Sequence, residues 1–151
     1  MGHRSHWRFR KFYEAQVEEV LRLLTNYYKE GQITLDTYFE LCEQRGVDPV
    51  PEEMPPTMGD FPYEVQVAFL LHDLLPDRWD GMSGSYFGKD LSALGTLLDT
   101  WDIEDKKSAI YWIKHIESKN SEKINGRLER KRKAAENKAK GPGINSANIK
   151  R

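Results

Sequence analysis

The sequence predicts an all-α fold: an N-terminal helical hairpin, a Pro-rich linker, and a compact three-helix core with a long basic C-terminal helix or tail. Three observations predict it. Apolar residues recur at helical spacing in several segments, glycines and prolines separate those segments, and basic residues concentrate at the end of the chain. A chain of 151 residues can bury one core of ordinary size. The content of 38% hydrophobic and 11% aromatic residues is too high for a wholly disordered protein.

Residues 1–46 are predicted to form the helical hairpin, which has a basic start. Its first helix, from about Phe12 to Glu30, carries apolar residues three and four positions apart and stops at a glycine. Its second helix has Thr34 or Asp36 as an N-cap and ends at Gly46. Because the connection is short, we expect the two helices to pack as an antiparallel pair.

Residues 47–62 contain five prolines and are predicted to form a linker. Proline lacks an amide proton and restricts the residue before it, so this segment favours extended structure over a helix or a central strand. It can act as a hinge or lie flat across a partner, and the sequence leaves both possibilities open.

Residues 63–120 are predicted to form the helical core. The first of its helices lies between Pro62 and Pro76, with Asp60 as its cap, and is apolar on most faces. A helix of this kind is typically buried, so we expect it at the centre of the core. Two further helices follow, one starting at Asp90 or Ser92 and one starting between residues 103 and 105.

Residues 121–151 are predicted to be a basic helix or a disordered tail, because Leu128 is the single apolar residue of size between Ile124 and Gly141. The same scarcity of apolar residues predicts that a chain truncated after Ser121 keeps its folded body.

Charge is distributed unevenly along the chain, although the net charge is only −1. Residues 1–14 carry +3 and residues 119–151 carry +8, which leaves −12 for the stretch between them. An acidic body flanked by basic ends steers oppositely charged surfaces towards it and keeps like molecules apart. The basic ends can bind nucleic acid, an acidic partner or the acidic body itself, or they can be solvated tails.

Motifs for catalysis or cofactor binding are not found. The run from Gly81 to Asp90 resembles a phosphate-binding loop only superficially, because Ser83 stands where a glycine is needed and Asp90 follows Lys89. The loop acids lack calcium-binding spacing, and one cysteine with four scattered histidines does not supply a zinc site. There is no Gly-x-Ser-x-Gly sequence and no apolar run long enough to cross a membrane. We therefore predict a non-enzyme without a cofactor or metal. Because a single cysteine cannot form an intramolecular disulfide, we also expect a reducing compartment.

Residues 77–90 are predicted to form an aromatic, Gly-rich loop that binds a partner. Glycines let the backbone approach another surface closely, and aromatic anchors dominate the binding energy at interfaces. The alternative is that these rings cover the core from outside. The candidate partner-binding residues are Trp79, Met82, Tyr86, Phe87 and Lys89.

The run FPYEVQVAFLLHDLLPDRWDGMSGSYFGKDLSALGTLLDTWDIEDK, followed by a helix and a Lys/Arg-rich end, resembles the tail assembly chaperones of contractile-tailed phages, those of cyanophages especially. The resemblance covers about residues 61–133. It implies a protein that coats an apolar helical client, the tape-measure protein, in the cytoplasm of an infected bacterium. Several copies along one long client would act through effective concentration, and homo-oligomerisation stays open. Residues 1–60 resemble the family less.

Two alternatives remain. A DNA-binding packaging protein of the small terminase type would use the basic ends, although three acids on the predicted second helix would face phosphates unfavourably. A structural adaptor of the baseplate or neck would remain in the virion. The candidate nucleic-acid-binding residues are Arg8, Arg10, Lys11, Arg127, Arg130, Lys131, Arg132 and Lys133.

Overall fold

The structure, a computed structural model, describes residues 3–141, and their side chains from Tyr13 onward. It is mainly helical, as predicted, with one small antiparallel β-hairpin. In chain order the elements are α1 (His3–Tyr27), α2 (Leu35–Arg45), α3 (Tyr63–Leu74), β1 (Asp77–Trp79), β2 (Tyr86–Lys89), α4 (Leu94–Thr100) and α5 (Lys106–Ala139).

The core is shared by α1, α3, α4 and α5. Its buried residues are Val20, Leu24, Phe61, Val65, Ala68, Phe69, Leu71, Leu75, Leu94, Leu98, Ala109, Trp112, Ile113 and Ile116. The prediction of a separate N-terminal hairpin is therefore wrong, because α1 packs into the same core as the helices after the linker. The apolar residues of α1 are covered by α5 and by α3, where the ring centroids of Tyr27 and Phe69 lie 5.3 Å apart.

Helix α2 has the predicted ends but not the predicted packing. The Thr34 side chain accepts a hydrogen bond from the amide of Thr37, and Gly46 closes the helix in the left-handed conformation at φ 64°. No residue of α2 belongs to the core cluster, and α1 and α2 make no extended contact in the described part of the chain, so they do not form the expected antiparallel pair. It packs locally against the linker, where the Tyr38 hydroxyl accepts a hydrogen bond of 3.0 Å from the amide of Val50.

The linker is folded back on the body. It contains two short 3-10 turns, Pro51–Glu53 and Met58–Asp60, and Phe61 at its end is buried in the core. Asp60 does not cap α3 as predicted. Its carboxylate instead accepts hydrogen bonds from the amide and hydroxyl of Thr57, at 2.6 and 3.0 Å, and closes the second turn.

Helix α3 lies in the core, as expected, but it is not buried on every side. Val65, Ala68 and Leu71 are buried, whereas Leu70 and Leu74 are about half exposed. The prediction that α3 is buried on most faces is therefore correct for one side of the helix and wrong for the other.

Helix α5 begins at the predicted position, since the carboxylate of Asp105 accepts a hydrogen bond of 3.1 Å from the amide of Ser108. It then continues without a break through 34 residues, about 51 Å at ~1.5 Å per residue. Residues 121–139 are thus helical, the first of the two predicted possibilities. Residues 142–151 lie outside the described part of the chain.

Candidate partner-binding site

Residues 77–90 form a β-hairpin and not the irregular loop that was predicted. Asp77 pairs with Lys89 and Trp79 with Tyr86, with an irregularity between Arg78 and Trp79. Asp80 organises the turn, because its carboxylate accepts hydrogen bonds from the amides of the two residues Met82 and Ser83. Strands of three and four residues are too short to show alternation in the sequence.

Asn125 of α5 holds the second strand by its backbone. Its side-chain oxygen accepts a hydrogen bond from the amide of Tyr86, and its side-chain nitrogen donates one to the carbonyl of the same residue, both at 3.0 Å. One side chain thus takes the place of a neighbouring strand at the edge of the hairpin.

Glu117, two turns earlier on α5, joins the hairpin to α3. One carboxylate oxygen accepts hydrogen bonds from the amide of Lys89 at 3.0 Å and from the hydroxyl of Ser121 at 2.9 Å. The other oxygen lies 2.6 Å from Nε2 of His72, which is buried in the core. Buried polar groups joined in this way fix a single arrangement, because each would be destabilising if left alone.

Gly88 permits this close contact. Its φ of 87° is one that L side chains rarely adopt, and a Cβ at this position would overlap the carboxylate of Glu117. Any other residue here would be strained and would displace the carboxylate of Glu117, so glycine favours close packing of the strand against α5.

Tyr86 faces the body of the protein. It is 3% exposed, and its hydroxyl donates a hydrogen bond of 2.9 Å to the carboxylate of Asp77. Burial, together with this bond, raises the pKa of Tyr86, so the hydroxyl stays a donor. A hydrogen bond from Lys89, whose ammonium lies 3.0 Å away, and the bond from Tyr86 lower the pKa of Asp77.

The five predicted partner-binding residues therefore divide into two groups. Trp79, Met82 and Phe87 are 51%, 98% and 59% exposed. Tyr86 is buried and Lys89 is mostly covered and paired with Asp77, so these two attach the hairpin to the body. We call the three exposed residues the hairpin triad.

Further exposed apolar residues lie at the base of the hairpin. The amide of Asp90 donates a hydrogen bond of 2.7 Å to the carbonyl of Pro76, which closes the base. Leu74 precedes this closure by two residues and Leu91 follows it by one, and they are 49% and 41% exposed. Two more exposed apolar side chains thus lie next to the hairpin along the chain, one at the end of α3 and one after β2.

The predicted nucleic-acid-binding residues occupy two places. Those of the C-terminal set are exposed on the last part of α5, residues 127–139, where Arg130 pairs with Glu30 at 2.8 Å. Arg132 and Lys133 lie 3.6 and 3.2 Å from Glu129 of the same helix. The side chains of the N-terminal set, Arg8, Arg10 and Lys11, lie outside the described residues.

The sequence did not indicate the roles of Glu117, Asn125 and Gly88. A signal existed, however: Glu117, Ser121 and Asn125 stand four residues apart and form a polar row beside the apolar face of α5. A polar row along a half-buried helix indicates a hydrogen-bonded neighbour.

Among residues 13–141, whose side chains the structure describes, no group of three or more His, Cys, Asp or Glu is arranged to hold a metal ion. None of the helices in the described part of the chain combines the length and apolar character required to cross a bilayer. No family model, curated protein or solved structure matches this chain.

Proposed function

We propose that this chain is a non-catalytic protein that binds an apolar helical segment of a client protein, as a phage tail assembly chaperone would bind a tape-measure protein. The observation that carries the proposal is the hairpin triad: three large apolar side chains exposed on a hairpin that polar contacts fasten to α5. The resemblance of residues 61–133 to such chaperones suggests the tape-measure protein as the client.

The attachment of the hairpin favours binding. A flexible loop would lose conformational freedom when it meets a partner, and this loss opposes association. Here Asn125 and Glu117 hold the strand before any partner arrives. The rings of Trp79 and Phe87 are therefore presented in advance, as is typical of residues that dominate interface energy.

The remaining surface suits a protein that keeps an apolar client in solution. An apolar helix can lie in a shallow apolar surface through residues three and four positions apart. Residues 15–118 carry −12, so bound copies would repel one another and keep the coated client dispersed.

The experiment compares matched tryptophan variants. Trp79→Ala and Phe87→Ala together are expected to reduce co-purification with a co-expressed tape-measure protein at least about tenfold, since anchors of this size contribute ~2 kcal/mol or more each. Trp101→Ala is the control, because Trp101 follows α4, outside the hairpin, and is 50% exposed, close to the 51% of Trp79. Thermal unfolding of each variant is measured in parallel.

Equal loss of co-purification in the Trp101 variant would contradict the proposal, as would loss of binding only in step with a lower melting temperature. The second result would mean that the rings cover the core, the alternative that the sequence leaves open. A structural adaptor would be found in purified virions, whereas a chaperone would not.

Nucleic-acid binding is a second candidate, favoured by one observation on α5. Helical geometry places Arg127, Lys131 and Lys138 within about 40° of one another, while Glu129 and Glu136 lie on the opposite face. Such a basic stripe contacts phosphates and gives steeply salt-dependent binding. A gel shift with duplex DNA tests it, with Arg127→Gln and Lys131→Gln expected to weaken the shift and Glu129→Gln expected not to.

A further inference from the structure

A cleft of about 560 Å³ opens beside α1, at the side facing the starts of α3 and α5. Its apolar lining includes Val17, Val20, Leu23, Val65 and Trp112. Acidic residues stand at its edge, among them Glu19, Asp60 and Glu64. A smaller hollow that shares Tyr13 and Val17 with it adds Glu18. An apolar floor with an acidic rim fits a segment that is both apolar and basic.

The chain itself contains such a segment. Residues 3–12 read HRSHWRFRKF, with four Arg or Lys residues, three aromatic residues and no acid. They form the start of α1, which continues as one helix to Tyr27 and provides one wall of the cleft. A continuous helix cannot fold back on its own side, so this segment can enter only the cleft of a second copy.

Length and charge both match this arrangement. The ten residues 3–12 extend about 15 Å, and the eleven residues 13–23 that line the cleft extend about 16 Å. The basic segment carries +4, and the acidic residues around the cleft, Glu18, Glu19, Asp60 and Glu64, less Arg22, carry −3. Two antiparallel α1 helices related by a two-fold axis near Tyr13 would fill both clefts at once.

We propose that the protein forms a symmetric dimer in which residues 3–12 of each copy occupy the cleft between α1, α3 and α5 of the other. The residues that line this cleft include neither the hairpin triad nor residues 127–139 of α5. It therefore holds or fails separately from the proposed client binding.

Charge reversal tests the dimer in the full-length protein, by sedimentation equilibrium. Arg8→Glu with Lys11→Glu is expected to raise the dimer dissociation constant at least about tenfold, since like charges then face one another. Glu18→Lys with Glu64→Lys is expected to do the same, because both residues are exposed. All four changes together should restore the dimer. Arg132→Glu with Lys133→Glu, the same change of charge at a distance, is the control and should have no effect.

A position-specific crosslink provides the second measurement. Tyr13→Cys places a thiol beside the expected axis, so a short bismaleimide should join two copies, whereas Thr25→Cys places its thiols more than about 30 Å apart. The native Cys42 is buried, and the unaltered protein gives the background. A monomeric wild-type protein, four changes that do not restore association, or equal crosslinking at both positions would overturn the proposal.

Discussion

The first part of α5, up to Asn125, and the second part, from Gly126 to Ala139, share one continuous helical backbone but differ in their surroundings. The first part buries four residues in the core and holds the hairpin through Glu117 and Asn125. In the second part every residue from Glu129 onward is exposed. One half is stabilised by tertiary packing and the other by local interactions.

The comparison shows how a helix can continue beyond its core. Alanine, glutamate, lysine and arginine, which make up most of residues 127–139, have high helix propensity. Glu129 also lies within 4 Å of Arg132 and Lys133, at the spacing that stabilises helices. Burial therefore determines the stability of the body, whereas propensity and ion pairs are enough to extend the helix.

The largest expected difference between the two parts of α5 comes from an apolar truncation in each. Ile116 is fully buried, so Ile116→Ala removes core contacts and should lower the free energy of unfolding by about 2–5 kcal/mol. Leu128 lies on the second part and is only partly covered, and Leu128→Ala should cost less than about 1 kcal/mol. Urea unfolding of both variants gives the comparison. Similar losses would show that the second part packs as tightly as the first.

The next largest loss of stability is expected from a substitution at the contact between the hairpin and α5. Gly88→Ala introduces a side chain at a positive φ and displaces the carboxylate of Glu117, which should cost about 2–3 kcal/mol. Gly81→Ala is the matched control, since Gly81 lies in the same hairpin with open space around it. If the two variants unfold at the same urea concentration, the strand does not lie against α5 as closely as described.

Replacing Asn125 should lower the stability less, and the loss should be confined to the hairpin. Asn125→Ala leaves the amide and carbonyl of Tyr86 without their partner and should cost about 1–2 kcal/mol. The same substitution at Asn137, which is exposed on the second part of α5, should change stability little. Hydrogen exchange at the amide of Tyr86 provides the local measurement, and unchanged protection there would show that Asn125 does not hold the strand.

The ends of several helices were predictable because they depend on neighbouring residues. Thr34, Gly46 and Asp105 act through hydrogen bonds or conformations within a few positions of themselves, and each lies where the sequence places it. The partner of α1 was not predictable in this way. An apolar stripe shows that a helix is covered but does not show by which helix, and a short connection favoured α2 over α3 and α5.

The hairpin was unpredictable for a related reason. Its strands are short. The side chains of α5 that donate hydrogen bonds to Tyr86 are Asn120 and Asn125, which lie 34 and 39 residues further along the chain. Without the strand there was no way to know which of its alternating side chains face inward. The sequence therefore indicated an aromatic surface at residues 77–90 but could not separate the exposed Trp79 and Phe87 from the buried Tyr86.

The smallest effect should come from removing the second part of α5 altogether. A chain ending at Gly126 loses exposed residues, the partly covered Leu128 and the ion pair between Arg130 and Glu30, so its free energy of unfolding should fall by about 1 kcal/mol or less. A chain ending at Ser121 also loses Asn125 and should be less stable by a further ~1–2 kcal/mol, because the strand loses two hydrogen bonds. The sequence alone favoured Ser121 as a harmless end, since almost no apolar residue lies beyond it. Equal stability of the two truncated chains in urea would support that earlier expectation and would limit the role of α5 to its apolar contacts.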